Sequence, residues 1–566
     1  MPRTVPIICL VLAAGMLFGC GEGASGGDTP APPDSAGRID VSGQVTFARV
    51  PFDADNIGLN YAGEFPVPVR WADVVALNAD GLQIANTRTD DAGRYALSVP
   101  ENALFRIEVL ARSIEPGAAL RWNLEVRNNR AAGDPVYRLA GEQLNSGSTD
   151  LVVDLHAASG WDGSNYSNPR SAAPFAILDS ISTIHQKMMQ AGVSLDLGSL
   201  DVHWSPLNSN TSFYDFGGNF IEILGDEDSD TDEYDQHVIV HEWRHYFEAQ
   251  VSRGDVIGGS HSSAVPLELR TAYSEGVANA WSAYILDDPI YKDSAGAGQQ
   301  FGFTVDIESQ FLADPGWYNE GSVEQIVYDM LDTANEPSDN LAIGLDELIQ
   351  LWMDENYLEK VSFTGLQALE AAVADVLPGY SADLRTLVDS MQVQGQGYFA
   401  ENETDQPAGL DYVLPVYRQM QPDDPGAEIC SHNEEGEYNR LQNRQLAQLQ
   451  VDQPGTFTLR LVYSDVVTRN EAGLTLAESL SLGAQTDPDF VIYSRGEALS
   501  GTALVGPNFS EESISNFGKS AISGEERGRI DLTAGTYVVD MYDYYNVDQD
   551  LSSGGLRCFV FTVVRD

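Results

Sequence analysis

Two parts of the chain alternate apolar and polar residues with a period of two, which is the pattern of half-buried β-strands. The first part spans residues 39–112, where the segments Asn-Ala-Asp-Gly (78–81) and Asp-Asp-Ala-Gly (90–93) have the composition of tight turns between strands. The second part spans residues 401–566. The alternation predicts an all-β sandwich domain in each part.

The region between these two parts has apolar residues at helical spacing. A helix is predicted over residues 175–192, strands follow over 199–206 and 211–225, and several helices come after them. This order predicts an α+β domain over residues 175–400, with strands before a central helix and a helical lower subdomain behind it. Residues 113–174 have a weaker strand pattern and are predicted to be a β-rich connecting segment. The chain is therefore predicted to be multidomain.

The first 20 residues carry an apolar run that is long enough for a signal peptide and too short to span a bilayer. The run ends in Leu-Phe-Gly-Cys at Cys20, which resembles the bacterial lipobox, whose cysteine is lipidated; ordinary signal cleavage is the alternative. Gly21 follows the cysteine and favours the outer membrane or surface of a Gram-negative cell, with release from the cell as an alternative. Residues 21–38 are predicted to be a flexible tether.

Acidic residues dominate the composition of this chain of 566 residues, with 85 Asp and Glu against 31 Lys and Arg and a formal net charge of -54. Such a surface repels phosphate groups, which argues against binding to nucleic acid and against electrostatic attachment to a membrane. A heavily hydrated surface is one reading of this charge. Calcium binding by some of the acidic loops is the other.

Two cysteines remain once Cys9 has left with the signal peptide and Cys20 is lipidated. Cys430 and Cys558 are predicted to form a disulfide, because the compartments outside the cytoplasm permit it.

His241, Glu242 and His245 form the pattern His-Glu-x-x-His in a segment that is predicted to be helical. Residues four apart share one face of a helix, so both imidazoles can bind one zinc ion. Glu242 lies about 100 degrees further around the axis, where it can act as general base on a metal-activated water. Asp230 and Glu233 are predicted to be the N-cap and N3 residues of this helix. Histidines on a solvated helix face are the alternative to a zinc site.

A third protein ligand would decide between these readings; two residues are the main candidates for it, and Glu268, which precedes the helix that would aim it, is a weaker one. Glu275 lies in a predicted helix over residues 269–286, and His261 lies in the Gly- and Ser-rich stretch before that helix. His261 is also a candidate for contacting the substrate or the oxyanion.

The residues around the motif resemble one superfamily of zinc peptidases and exclude another. Glu248 and Val251 occupy the glycine and histidine positions of the metzincin motif, which excludes that class. The run over residues 232–284 resembles the gluzincin-type exported peptidases of bacteria. The resemblance implies a zincin-like fold, Glu275 as the third zinc ligand, and Asn279 as the residue that orients a metal-bound histidine.

Two features depart from that resemblance. Twenty-nine residues lie between His245 and Glu275, a longer gap than in thermolysin-like enzymes. Arg244 stands where many such enzymes have glycine, and we expect it to add bulk near the site.

An oxyanion donor and a calcium site are further expectations. Tyr328, Tyr273 and His261 are candidates for the donor that faces the substrate carbonyl oxygen. The loop over residues 226–232 has an aspartate at every second position, and oxygen ligands at this spacing suit Ca²⁺. Solvated acidity next to a helix N-terminus is the alternative.

The flanking domains also carry resemblances, and they complete the functional prediction. The segment "TRTDDAGRYALSVP" (87–100) resembles carboxypeptidase regulatory-like domains, and phrases such as "LTAGTYVVDMYDY" (532–544) resemble the pre-peptidase C-terminal domain. We predict a zinc-dependent endopeptidase that cleaves extracellular or cell-surface proteins. The alternatives are a catalytically inactive surface-binding protein and a zinc hydrolase of another amide or ester. Residues 39–174 are also a candidate pro-segment.

Overall fold

The computed structural model describes residues 37–53, 57–333, 340–410, 413–432, 437–463, 488–495, 497–501, 525–547 and 556–566. The predicted signal peptide (1–20), with Cys20, and most of the predicted tether (21–38) lie outside these residues. The described chain is multidomain, with a mixed α and β part between two parts that consist of β-strands.

The N-terminal part is a β-sandwich. The first strands of the chain are β1 (Arg38–Arg49), β2 (Phe52–Asp53), β3 (Gly58–Leu59), β4 (Phe65–Pro68), β5 (Asp73–Asn78), β6 (Gln83–Arg88), β7 (Arg94–Pro100), β8 (Leu104–Leu110), β9 (Arg112–Glu115), β10 (Leu120–Arg127), β11 (Arg138–Ala140), β12 (Leu144–Asn145), β13 (Leu151–Val152) and β14 (Leu155–Ala157). One sheet has β1 paired with β4, β7, β13 and β14, and the other contains β5, β6, β8, β11 and β12. Buried Phe47, Val74 and Ile107 belong to the apolar core that the two sheets share.

The segment over residues 113–174, predicted to be a connecting segment, is divided between two domains. Strands β11 to β14 pair with strands of the N-terminal sandwich, whereas β10 pairs in parallel with a strand of the central domain. Strands β11 to β14 have only two or three residues each. Strands this short show too little alternation of apolar and polar residues for the sequence to predict which strand they pair with.

The central domain is built on a five-stranded sheet that is covered by helices. Its elements are α1 (Ala173–Gln190), β15 (Leu195–Trp204), β16 (Phe213–Asp215), β17 (Phe220–Ile223), α2 (Gln236–Gln250) and α3 (Leu269–Leu286). The sheet has the order β16-β17-β15-β10-β9. Strand β16 lies at one edge and runs antiparallel to β17, and its other side pairs with no described strand, so another extended chain can pair there.

Two hairpins and a group of later helices complete the central domain. The hairpins are β18 (Gly225–Asp226) with β19 (Asp230–Thr231), and β20 (Ile290–Ala295) with β21 (Phe301–Asp306). The helices are α4 (Glu320–Leu331), α5 (Leu345–Trp352), α6 (Glu355–Leu358), α7 (Leu366–Val376) and α8 (Ser381–Ser390). Helix α4 packs against α3, which connects the later helices to the middle of the domain.

The C-terminal part is a second β-sandwich. Its elements are β22 (Tyr417–Met420), β23 (Ala427–Ser431), β24 (Arg444–Val451), β25 (Gly455–Tyr463), β26 (Pro488–Ser494), β27 (Glu497–Gly501), β28 (Glu525–Leu532), β29 (Gly535–Asp543), α9 (Tyr544–Val547) and β30 (Arg557–Arg565). The sheets have the orders β22-β24-β29-β26-β27 and β23-β30-β25-β28. The predicted disulfide is present, because Cys430 and Cys558 face each other on the paired strands β23 and β30 and their sulfurs are bonded.

Among the described residues, no helix is both long enough and apolar enough to cross a bilayer.

Candidate active site

Helix α2 carries the His-Glu-x-x-His motif, and it begins later than the sequence predicts. Asp230 lies in β19 and residues 232–234 form a short 3₁₀ turn, so the helix starts at Gln236. Glu233 is fully buried, with its carboxylate 3.5 Å from the Arg170 guanidinium, and does not cap the helix. Burial inside the domain therefore overrides the local capping pattern.

Helices α2 and α3 bring three donor atoms together. The Nε2 atoms of His241 and His245 are 3.1 Å apart, and each is 3.1 Å from Oε2 of Glu275. Ligands around a tetrahedral zinc ion, at about 2.0 to 2.1 Å from it, lie about 3.3 Å from one another. The triangle of donor atoms therefore fits one zinc ion. We call His241, His245 and Glu275 the three-donor cluster.

Hydrogen bonds behind His241 fix which ring nitrogen faces the cluster. Nδ1 of His241 lies 2.8 Å from Oδ1 of Asn279, and Nδ2 of Asn279 donates to Glu324 over 2.9 Å. The bond to Glu324 shows that the nitrogen of the Asn279 amide faces away from His241, and its oxygen faces the ring. An amide oxygen can only accept, so it accepts a hydrogen bond from His241. Nδ1 of His241 then carries the proton, and Nε2 has a free lone pair directed at the cluster.

The same argument holds for His245. Oγ of Ser274 donates to Glu248 over 2.6 Å and lies 3.2 Å from Nδ1 of His245. Since the hydroxyl proton points to the carboxylate, the serine oxygen accepts from Nδ1. Both histidines of the cluster are thus held in the tautomer that can bind a metal through Nε2.

The electrostatics of the cluster reflect the close approach of these groups. Burial raises the pKa of the Glu275 carboxyl, but His261 and His245 outweigh burial and bring that pKa well below its usual range. Burial alone would lower the pKa of His245, whereas Glu275 and Glu248 raise it well above the ordinary histidine value, so a metal ion that binds Nε2 would displace a proton from it. The carboxylate of Glu275 is therefore ionised and available to a cation.

His261 lies beside the three-donor cluster and has a carboxylate on each side. Its Nε2 is 3.3 Å from Oε2 of Glu275, and its Nδ1 is 2.9 Å from Glu320. Donor atoms of His241, His261 and Glu275 also lie within 4.8 Å of one another, so His241 and Glu275 are common to both sets of three. His261 is more exposed than the cluster residues, with 31% of its side chain accessible.

The C-terminal sandwich holds the loop that carries His261. Nδ2 of Asn439 and Nη1 of Arg440 both donate to the carbonyl oxygen of Ser260, over 2.9 and 2.7 Å. The residue before His261 is thus attached to a different domain from the helices that carry the cluster.

Several predicted residues lie elsewhere. The hydroxyl of Tyr273 is buried and lies 2.9 Å from that of Tyr357, and neither Tyr273 nor Tyr328 is among the described residues that line the cavities at the cluster. Arg244 was expected to add bulk near the site, but it is 1% exposed and its guanidinium packs over the ring of Trp352. The motif position therefore faces the core below the helix.

Two cavities meet at the cluster, and both are lined by His241, Glu242 and His261. One, of about 640 Å³, extends along the edge strand β16 and its aromatic residues. The other, of about 400 Å³, is walled by hairpin β20–β21 and by carboxylates. Together they form a cleft in which an extended chain could lie across Glu242.

Tyr291 of β20 is a cleft residue that the sequence does not predict. It lines the 400 Å³ cavity, and its ring centre is 6.4 Å from that of His241. Burial, followed by Asp293 and Glu242, raises the pKa of Tyr291 well above its usual value, so its hydroxyl keeps its proton. No motif marks this residue, because it reaches the cleft through the folding of a hairpin that follows α3.

Comparison with known proteins relates the central domain to peptidases. Residues 190–376, which include α2, α3 and α4, match the family described as "Mycolysin C-terminal domain". This match shows a protease-related domain. No curated protein sequence is significantly similar to the chain.

Two solved structures are similar to parts of the chain. The pre-peptidase C-terminal domain of collagenase from Bacillus anthracis has 9% identity and a TM-score of 0.15, over 26% of this chain and 93% of that one. A 9R-lipoxygenase from Cyanothece PCC8801 has 8% identity and a TM-score of 0.13, over 29% of this chain and 25% of that one. Neither likeness bears on function.

Proposed function

We propose that the chain is a zinc-dependent endopeptidase in which the three-donor cluster binds the metal. The observation that carries the proposal is the triangle of two imidazole nitrogens and one carboxylate oxygen, each pair 3.1 Å apart. Two histidines and a glutamate are a donor set that catalytic zinc sites use, with the fourth position left to water or substrate. The fixed tautomers of both histidines support the same assignment.

We assign Glu275 as the third ligand and His261 to the substrate. Oε2 of Glu275 lies 3.1 Å from Nε2 of both helix histidines, whereas Nε2 of His261 is 3.3 Å from Glu275 and has no other hydrogen-bond or ion-pair contact among the described residues. His261 is also the more accessible side chain, as a group that meets substrate must be. Its imidazole can donate a hydrogen bond to the oxyanion that forms on the scissile carbonyl.

Glu242 is the general base of this proposal. Its side chain lines both cavities, and it can take a proton from the attacking water and pass it to the leaving amine. Zinc, when bound, polarises the carbonyl and lowers the pKa of water towards 7. The edge strand β16 can pair with an extended substrate, which favours cleavage within a protein chain.

The leader sequence supports a location for this activity. The apolar run before Cys20 and the residues around that cysteine favour export and attachment to the outer membrane through a lipid. Protein or peptide substrates would then be met at the cell surface or outside the cell.

Replacement of the general base tests the proposal. Glu242→Gln removes the base and keeps the shape of the side chain, so we expect zinc content equal to wild type and hydrolysis of casein reduced at least about a thousandfold. The full chain and the variant are compared for zinc by mass spectrometry and for casein cleavage. A wild type that binds zinc and cleaves no peptide bond would instead favour the surface-binding alternative.

A further inference from the structure

Three aspartates converge in the wall of the 400 Å³ cavity. Asp230 and Asp232 come from the segment before α2, and Asp293 comes from β20, sixty residues later. One carboxylate oxygen from each lies within 4.8 Å of the other two. Oxygen ligands lie about 2.3 to 2.6 Å from Ca²⁺, so ligands on opposite sides of the ion are about 5 Å apart. The spacing therefore fits a single ion, and we call these three residues the aspartate cluster.

An unsatisfied buried oxygen is the second observation at this place. Asp232 is 3% exposed, and its Oδ1 has no hydrogen-bond partner within the described chain, whereas its Oδ2 accepts from Ser212. Oδ1 of Asp230 is likewise buried and without a hydrogen-bond partner among the described residues. A buried carboxylate oxygen without a partner is destabilising unless the group is protonated or paired with a cation, so these oxygens are candidate cation ligands.

The neighbouring charges do not supply that cation. The charged groups that act most strongly on Asp232 are Asp230, Asp293 and Asp235, which are all acidic. Asp235 differs from the cluster because it already accepts hydrogen bonds from the backbone N–H and the hydroxyl of Ser294, over 3.2 and 2.5 Å. Burial, followed by Asp230, raises the pKa of Asp293 to about 7, in keeping with mutual repulsion of uncompensated carboxylates.

We propose that the aspartate cluster binds a hard divalent cation of the calcium class, in a site separate from the three-donor cluster. All its donors are carboxylate oxygens, which suit Ca²⁺, whereas two of the three donors of the other cluster are imidazole nitrogens. A bound ion would join the segment before α2 to the hairpin β20–β21. It would thereby fix the wall of the cleft on the side of Tyr291.

The calcium site that the sequence predicts over residues 226–232 contains only part of that loop. Asp228 of that loop is exposed, and its backbone N–H donates to Asp226 within the turn. Only the last two aspartates of the loop reach the cluster, and the third comes from outside it. A cationic side chain of a substrate is the rival occupant, since the cluster lines the cleft. We favour the metal ion because it supplies two charges to three converging carboxylates, and because Asp232 is recessed.

Calcium titration of the full chain tests this proposal. The protein is treated with EGTA, and the thermal unfolding midpoint, Ca²⁺ binding by calorimetry and Tb³⁺ luminescence excited through tyrosine are measured for wild type, Asp293→Asn and the control Asp228→Asn. We expect one calcium site in wild type and in Asp228→Asn, with a raised midpoint. In Asp293→Asn we expect at least tenfold weaker binding.

The unfolding midpoint of calcium-free Asp293→Asn shows whether Asp293 binds the ion or only supports the fold. Asp293→Asn removes one of three repelling charges, so without calcium its midpoint should equal or exceed that of wild type, while its gain on adding calcium is lost. Wild type that neither binds nor is stabilised by calcium would overturn the proposal, as would Asp293→Asn that binds calcium as tightly as wild type. If wild type binds no calcium and Asp293→Asn selectively loses cleavage next to Lys or Arg, the aspartate cluster is a substrate subsite instead.

The test is independent of the peptidase proposal. Glu242→Gln should keep the calcium site whether or not the chain cleaves peptides, because Glu242 is outside the aspartate cluster. Zinc content should be unchanged in Asp293→Asn, and it is measured on samples without EGTA, because EGTA also removes zinc.

Discussion

The three-donor cluster and the aspartate cluster line the same cleft but differ in what surrounds their donor atoms. In the first, both histidines have a hydrogen-bonded partner behind the ring, so that one nitrogen of each is free and aimed at a common point. In the second, buried carboxylate oxygens face one another, and two of them have no hydrogen-bond partner in the described chain. The donors of the first site are oriented by neighbouring side chains, whereas the proposed second site would gain its compensating charge from a bound cation.

This difference teaches how one cleft can separate two metal ions. Imidazole nitrogens in a fixed tautomer favour zinc, and an all-oxygen site favours a harder ion. We therefore expect the fixed ring tautomers to favour zinc at the first site, and the three carboxylates to favour calcium at the second. Variants should therefore affect the two sites separately.

The largest change in metal affinity is expected when the hydrogen-bond partners behind the two histidines are removed. Ser274→Ala and Asn279→Ala each leave a ring free to rotate and to change tautomer, so we expect zinc affinity to fall about 10- to 100-fold. Zinc affinity is measured by competition with a chelator, with Ser180→Ala as control, since the hydroxyl of that buried serine bonds a carbonyl of α1. Calcium binding should not change. Unaltered zinc affinity in both variants would show that Ser274 and Asn279 do not organise the three-donor cluster for zinc.

A smaller effect is expected from the domain contact that holds His261. Arg440→Ala removes one of the two donors to Ser260 and loosens the loop, so we expect kcat/KM for a peptide substrate to fall about tenfold through misplacement of His261. Zinc content should stay at the wild-type value, because the three-donor cluster is untouched. Arg529→Ala is the control, since its ion pair with Asp566 lies within the C-terminal sandwich. Equal loss of activity in the control would show that the contact has no specific role.

Sequence alone predicted the residues whose positions follow from helix geometry. The spacing of His241 and His245 puts them on one helix face, and the gluzincin resemblance pointed to Glu275 and Asn279, which the structure has beside them. The alternation in the two flanking regions likewise predicted β-sandwiches, because period two persists over long strands.

Residues that reach the cleft through pairing or buried hydrogen bonds were not predictable. Glu248 was read only as a mismatch to another motif, yet it fixes the proton of Ser274 behind His245. Asp293 and Tyr291 belong to a hairpin that is far from α2 in sequence, so the sequence does not predict that they reach the cleft. The start of α2 was predicted too early because local capping patterns do not register that Glu233 is buried beside Arg170.

The assignment of the third zinc ligand is tested most directly by the zinc content of Glu275→Ala and His261→Ala, purified in parallel with wild type and measured by mass spectrometry. We expect one zinc per chain in wild type and in His261→Ala, and less than about a tenth of that in Glu275→Ala, because only Glu275 completes the three-donor cluster. Loss of zinc from His261→Ala with full zinc in Glu275→Ala would contradict this assignment.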